Sequence, residues 1–143
     1  MNPNIDVERV VRSLLEFLQT GVAPADLFGD DVFCDFSLPT WRLQASGRSD
    51  VIALRQRGHP GPSTVVGHQV RPTPDGFVME LQERWSDAGG DWYCRECLLA
   101  TLREGRITEL SVYCTGDWSR QRQHDHVRAV QLLRPDAAPG INW

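Results

Sequence analysis

The chain has 143 residues, of which 41% are hydrophobic and 24% are charged, and its formal net charge is -4 at pH 7. This length predicts a single domain, and no apolar run approaches the roughly 20 residues that span a bilayer. Every basic residue is an arginine, and the arginines are scattered, which excludes a lysine Schiff base and argues against a nucleic-acid surface. We therefore predict neither nucleic acid nor membrane as a partner. The N-terminus shows no secretion signal, which predicts a cytoplasmic protein.

The first half of the chain predicts two helices around one strand. Residues 5 to 19 place valines and leucines at helical spacing, which indicates an amphipathic helix. The run GDDVFCDFSLP follows as a first strand that stops at Pro39. Ser49 is expected to cap a second helix, SDVIALRQRG, which ends at Gly58.

The second half predicts an antiparallel meander and a last helix. Four strand-like segments, STVVGHQVRP, GFVMELQERWS, DWYCRECLLATLR and GRITELSVYCTG, are separated by short turns. A helix is expected from Ser119 to Arg134, and residues 136–143 are expected to form a loose tail. The predicted fold class is α+β: one domain over residues 1–143, in which a cone-shaped, curved antiparallel sheet wraps the N-terminal helices. Function is expected in the cavity that such a sheet leaves at one end.

Four cysteines, Cys34, Cys94, Cys97 and Cys114, are interpreted as small buried side chains. Cys94 and Cys97 form a C-x-x-C, but on a strand their side chains point to opposite faces, which is unlike a redox or zinc pair. No metal site is predicted.

Polar side chains lie on one face of the meander, where apolar core residues are expected. His68 alternates with valines, and Glu83 follows Phe77, Met79 and Leu81 on one face of the second segment. If Trp85 lies opposite Trp92 and the next hairpin turns at residues 104–105, the same face gathers further groups. The expected catalytic set is His68, Glu83, Glu96 and Tyr113, framed by Met79, Trp85, Trp92 and Leu98 as substrate contacts.

This set would suit acid/base chemistry. Burial raises the pKa of a carboxyl group and a nearby imidazole lowers it, so either glutamate could exchange protons at neutral pH, while Tyr113 could donate to an oxyanion. A strand histidine could equally be a satisfied core group, and Glu83 could simply pair with an arginine. Asp35, on the first strand, is a further catalytic candidate or else a surface residue. Trp41 and Arg42 are expected at the cavity mouth, where they suit a planar or anionic ligand.

The order of elements, together with FGDDVFCDFSLPTWR, GRSDVIALR and GRITELSVYCTGDW, resembles the nuclear transport factor 2-like superfamily, and most closely its SnoaL-like branch of polyketide cyclases and small hydrolases. The resemblance covers nearly the whole chain. It implies a cone whose mouth binds a small hydrophobic molecule, usually in a homodimer and usually without metal or cofactor. We expect a bacterial cyclase, dehydratase, isomerase or ring-opening hydrolase of secondary metabolism, with a non-catalytic binding or dimerisation module as the alternative.

The chain departs from two known enzyme patterns of the superfamily. The three positions that carry catalytic groups in steroid isomerases align with Phe36, Leu14 and Leu98, which are apolar. The Arg-x-Asp of limonene-epoxide hydrolases is missing from ELQERW, and Val112 stands where their second aspartate would be. The face that carries Thr108, Leu110, Val112 and Cys114 is expected to lie opposite the pocket, covered most simply by a second subunit.

Overall fold

The computed structural model describes residues 3–134, with side-chain surroundings from residue 6 onward. The helices are α1 (Pro3–Thr20), α2 (Arg48–Gly58) and α3 (Arg120–Ala129). The strands are β1 (Phe28–Ser37), β2 (Arg42–Ser46), β3 (Thr64–Thr73), β4 (Gly76–Asp87), β5 (Gly90–Arg103) and β6 (Arg106–Cys114). The tail predicted at 136–143 lies outside the described residues.

The strands form one curved, unclosed sheet in the order β2-β1-β6-β5-β4-β3. Strands β3 to β6 are the predicted antiparallel meander, and the α+β class is confirmed. Strand β1 differs from the prediction because it joins β6 in parallel. Parallel neighbours need a long crossover connection, which the whole of α2 and β3 to β5 provides here.

The helices lie where their apolar faces can be buried. Helix α1 turns Val10, Leu14 and Phe17 into the core against the sheet, each at most 3% exposed. Helix α2 begins at Arg48 and not after Ser49: Gly47, with φ of 91°, is its N-cap residue, because the left-handed backbone there turns β2 directly into the helix. Among the described residues, no helix is long and apolar enough to cross a membrane.

The predicted register between β4 and β5 is confirmed, with Trp85 opposite Trp92 and Leu81 opposite Glu96. The register between β5 and β6 was predicted wrongly. The tight turn does lie at Glu104 and Gly105, which both have positive φ.

A bulge just after that turn shifts the pairing by one residue. Leu102 pairs with Ile107, but Thr101 pairs with Glu109, which leaves Thr108 as an extra residue in β6. Glu96 is consequently opposite Cys114 and not opposite Tyr113. Because a one-residue shift exchanges the two faces of a strand, Cys114 points to the inner face and Tyr113 to the outer face.

Candidate functional site

A cavity of about 510 Å³ lies between helices α1 and α2 and the inner face of the sheet. Most of its wall is apolar, and includes Leu14, Phe17, Phe28, Leu98, Leu110 and Val112. Eight polar or titratable side chains share the wall: Cys34, Gln44, Arg55, Arg57, His59, Glu96, Cys114 and Asp117. The size and the mostly apolar wall are typical of a small-molecule site.

Behind this wall, helix α2 is joined to β4 by a buried ion pair. Arg55 donates to both carboxylate oxygens of Glu83, at 2.5 and 3.1 Å, and the two side chains are 10% and 0% exposed. Arg55 also donates to the Leu18 carbonyl at 2.7 Å, and the Ser63 hydroxyl donates to Glu83 at 2.7 Å. A bidentate pair with further partners for both charges is the arrangement that makes such burial tolerable.

The Glu83 carboxylate controls the state of Glu96, which lies beside it on β5. Burial alone would raise the pKa of Glu83, but a hydrogen bond from Glu96, together with Arg55 and Ser63, holds that pKa at about 2. Burial and the Glu83 charge raise the pKa of Glu96 well above its usual range. Like charges in one site push two pKa values apart, so the ionised Glu83 favours the protonated form of Glu96 at the cavity wall.

Asp117 is a second carboxyl group at the same cavity, in the segment that follows β6. The preceding Gly116 has φ of 82°, and a Cβ there would lie only 3.0 Å from Pro39, so a glycine allows this close turn. Burial and the Glu83 charge raise the pKa of Asp117, while Arg55 lowers it. The cavity therefore has two carboxyl groups in different environments.

His59 follows the end of α2 and packs edge-on against Trp85, with ring centroids 4.5 Å apart. Burial and the Arg55 charge lower the pKa of His59 to about 4, so the imidazole is neutral at pH 7. It adds a polar but uncharged group to the wall.

Three possible metal donors come together at this site. In the part of the chain that the structure describes, the donor atoms of Cys94, Glu96 and Cys114 lie within 4.8 Å of one another. The Cys94 thiol donates to Glu96 at 3.3 Å. The pKa values of Cys94 and Glu96 are raised and that of Cys114 is lowered, which suits a hydrogen-bonded cluster; a metal ion bound here would have to displace the protons of Cys94 and Glu96.

The inner face holds part of the predicted site. Glu96 and Leu98 line the cavity. Glu83 lies behind it as the buried partner of Arg55, and Met79 is fully buried in the core. His68 is half-buried on the edge strand β3, opposite Leu81, and is not part of the cavity wall.

Two predicted aromatic contacts belong to another region. Trp85 and Trp92 line a separate, more open cleft of about 720 Å³ between the β4–β5 hairpin and α3. The Trp92 indole donates to Asp87 at 2.9 Å.

Four other predicted site residues point away from the cavity. Asp35 and Arg42 form an ion pair of 2.6 Å, which lowers the pKa of Asp35 through the hydrogen bond from Arg42. Both lie on the outer face with Tyr113, which is 56% exposed. Trp41, in the β1–β2 turn, is 67% exposed. The alternation of β1 places Cys34 and Phe36, not Asp35, at the cavity.

The sequence prediction missed Arg55, His59 and Cys114 and left the position of Asp117 undecided. A signal for Arg55 existed, because it stands four residues after the buried Val51 on the same side of α2. A signal for the bulge existed as well, since Ile107 and Leu110 are apolar but three residues apart, which breaks the two-residue period of a strand.

Several solved structures are similar to this chain. A protein from Anabaena variabilis matches with a TM-score of 0.67 at 13% identity, covering 80% of this chain and 90% of that one, and is described as NTF2-like (nuclear transport factor 2-like). An NTF2-like protein from Burkholderia xenovorans matches with a TM-score of 0.54 at 21% identity, covering 92% and 98%. A Bacillus subtilis protein provisionally named an isomerase matches with a TM-score of 0.65 at 13% identity, covering 80% and 90%.

The chain has the NTF2-like fold. At these identities the likeness concerns the fold alone. The sequence matches no protein-family model and no curated protein.

The contribution of the buried Arg55–Glu83 ion pair to stability can be tested by removing one partner and then both. We expect Arg55→Met to lower the free energy of unfolding by about 3–5 kcal/mol, because it leaves the Glu83 charge buried without its counterion. The double variant Arg55→Met, Glu83→Leu should recover most of that loss. Urea denaturation of the three proteins measures both effects, and an Arg55→Met variant as stable as wild type would contradict this account.

The state of Glu96 predicts a pH dependence of stability. Its folded pKa is raised above the ordinary 4.5, so the folded protein keeps a proton that the unfolded chain releases. Stability relative to Glu96→Gln should therefore fall as pH rises above about 4.5, by up to about 1.4 kcal/mol per pH unit until the folded pKa is reached. Urea denaturation of both proteins between pH 5 and 8 measures this difference, and a constant difference would show that Glu96 is ionised when folded.

Proposed function

We propose that the chain is an acid/base enzyme, working without metal or cofactor, that acts on a small hydrophobic molecule in the cavity. The observation that carries this proposal is the buried carboxyl group of Glu96, beside Glu83, on the wall of an apolar cavity that also holds Asp117. Burial and the Glu83 charge raise the pKa of Glu96. A proton donor and a proton acceptor facing one void are the minimum that such catalysis needs.

Each carboxyl group has a role that follows from its surroundings. Glu96 remains protonated beside the Glu83 charge and donates to a carbonyl, hydroxyl or epoxide oxygen. Asp117, where Arg55 offsets part of the rise in pKa, is the base that takes a proton from carbon or from water. Arg55 and Glu83 touch each other and act as positioning residues.

Cyclisation, dehydration, isomerisation and ring-opening hydrolysis can all use a proton donor and a proton acceptor placed in this way. Tyr113 and Asp35 point outward and have no role in these proton transfers, and the half-buried His68 lies outside the cavity wall. The provisional isomerase name of the similar Bacillus subtilis protein is compatible with the proposal.

The wider setting is also part of the proposal. The SnoaL-like pattern favours a polyketide cyclase or small hydrolase that acts on an intermediate of bacterial secondary metabolism. The absence of lysine suits a GC-rich bacterial genome, and four free cysteines suit the reducing cytoplasm.

Loss of either carboxyl group should strongly slow turnover. For a substrate found by screening hydroxy ketones, conjugated ketones and epoxides, we expect Glu96→Gln and Asp117→Asn each to lower kcat/KM by roughly 10²- to 10⁴-fold. Both replacements keep size and polarity and remove only the proton exchange. Glu80→Gln, on the exposed side of β4, is the matched control and should keep full activity.

The alternative function is a non-catalytic binding module that uses the same cavity. Ligands that bind in the cavity without being converted, and that bind Glu96→Gln as tightly as wild type, would favour this alternative. Crystals soaked with small aromatic compounds and epoxides would locate the ligand in either case.

We further propose that two copies of the chain pair through the outer face of the sheet. Leu110 and Val112, which were expected on a face covered by a second subunit, line the cavity instead. The outer face instead exposes Leu99 at 46%, Tyr113 at 56% and Phe33 at 38% on neighbouring strands. Exposed apolar side chains on three neighbouring strands in the middle of a sheet favour a second, identical sheet as their cover.

Light scattering tests this pairing. Wild type should have twice the 16.2 kDa chain mass, and Leu99→Glu should have the monomer mass because it buries a charge in the interface. Leu133→Glu, at a position 94% exposed beyond α3, is the matched control and should remain dimeric. A monomeric wild type would refute the pairing without affecting the cavity.

A further inference from the structure

We propose that Cys114 is a nucleophile that forms a thioether with soft carbon electrophiles, of the α,β-unsaturated carbonyl class, that enter the cavity. Three observations support this: the position of its thiol on the cavity wall, the hydrogen-bond donors around its sulfur and the acid beside it. The proposal goes beyond acid/base catalysis, and it rests on the proposed function only for the protonated Glu96.

The bulge in β6 is what brings the thiol to the cavity. Without the extra residue Thr108, the face of β6 would reverse and Tyr113 would stand opposite Glu96. With it, Cys114 lies directly opposite Glu96 and is half-buried on the cavity wall.

The surroundings of the sulfur favour its thiolate. The Gly116 backbone N–H donates to the Cys114 sulfur at 3.4 Å. The Cys94 thiol lies within 4.8 Å of the same sulfur, and when Cys114 ionises the one Cys94 S–H can turn from Glu96 to the thiolate. A hydrogen bond from Cys94 and, to a smaller extent, one from Gly116 lower the pKa of Cys114, although burial and the charges of Asp117 and Glu83 raise it.

Cys34 is a built-in comparison, because it lines the same cavity from β1. Burial and the neighbouring Asp35 raise the pKa of Cys34 to about 11, so this thiol stays protonated. The remaining cysteines are also less suited: Cys94 is fully buried, and Cys97 points to the outer face. Reactivity at Cys114 thus depends on its particular neighbours and not on access alone.

The step is a conjugate addition. The sulfur lone pair forms the S–C bond at the β-carbon, and the C=C π pair moves towards the carbonyl oxygen. That oxygen takes the proton of Glu96, and the resulting enol becomes the saturated ketone. The proton that Cys114 lost on ionisation returns through solvent to Glu96, so thiol and enone combine with no oxidant or reductant.

Intact-mass and peptide mass spectrometry after treatment with 2-cyclohexen-1-one at pH 7 test the proposal. We expect one adduct, on Cys114, formed at least roughly tenfold faster than any on Cys34. Cys114→Ser should abolish this adduct, and Cys34→Ser and Cys97→Ser should leave it unchanged. Equal labelling of Cys34 and Cys114, or labelling of Cys97 alone, would overturn the proposal.

A second reagent separates the thiol from the acid. Iodoacetamide alkylates a thiolate by direct displacement and needs no proton donor, so Glu96→Gln should leave its rate at Cys114 unchanged. The same variant should slow the cyclohexenone addition by roughly tenfold or more. If Cys114 reacts with both reagents regardless of Glu96, the nucleophile is upheld and the acid role in the proposed function fails. If iodoacetamide does not label Cys114 in wild type, the nucleophile itself is refuted.

Discussion

The cavity depends on one buried ion pair, Arg55 with Glu83. Helix α2 fully buries Val51, and Ile52 and Leu54 are only partly buried against the core. The Arg55 guanidinium reaches Glu83 on β4 and the Leu18 carbonyl at the end of α1. One side chain thus connects both helices to the sheet beside the cavity. Either charge alone at this depth would be strongly destabilising, so the two residues depend on each other.

The same pair supplies the electrostatics of the cavity. Because Glu83 is held ionised, its charge raises the pKa values of both Glu96 and Asp117. In an environment of low dielectric constant these effects are much larger than at a surface. The ion pair that holds α2 to β4 therefore also sets the pKa values of the carboxyl groups at the cavity.

The bulge at Thr108 determines which side chains of β6 meet that electrostatic field. Leu110 and Val112 extend the apolar wall, and Cys114 enters the cluster with Cys94 and Glu96. On the other side of the same strand, Tyr113 joins the exposed apolar area of the outer face. One inserted residue separates a cavity surface from a surface suited to another subunit, since neighbouring side chains of a strand point in opposite directions.

Local patterns in the sequence determined the elements and the fold class. Residues close together in the chain were enough to predict helix α1, the four long strands of the meander, the turns between them and the Trp85–Trp92 pairing. Glu96 could be placed correctly because its hairpin register follows from the turn next to it. Only the tertiary structure decided that Arg55 meets Glu83, that Asp117 joins Glu96, and that Asp35 and Tyr113 face outward. These outcomes depend on a bulge and on contacts between elements distant in the chain, and such contacts are set by how whole surfaces pack together rather than by the residues beside them.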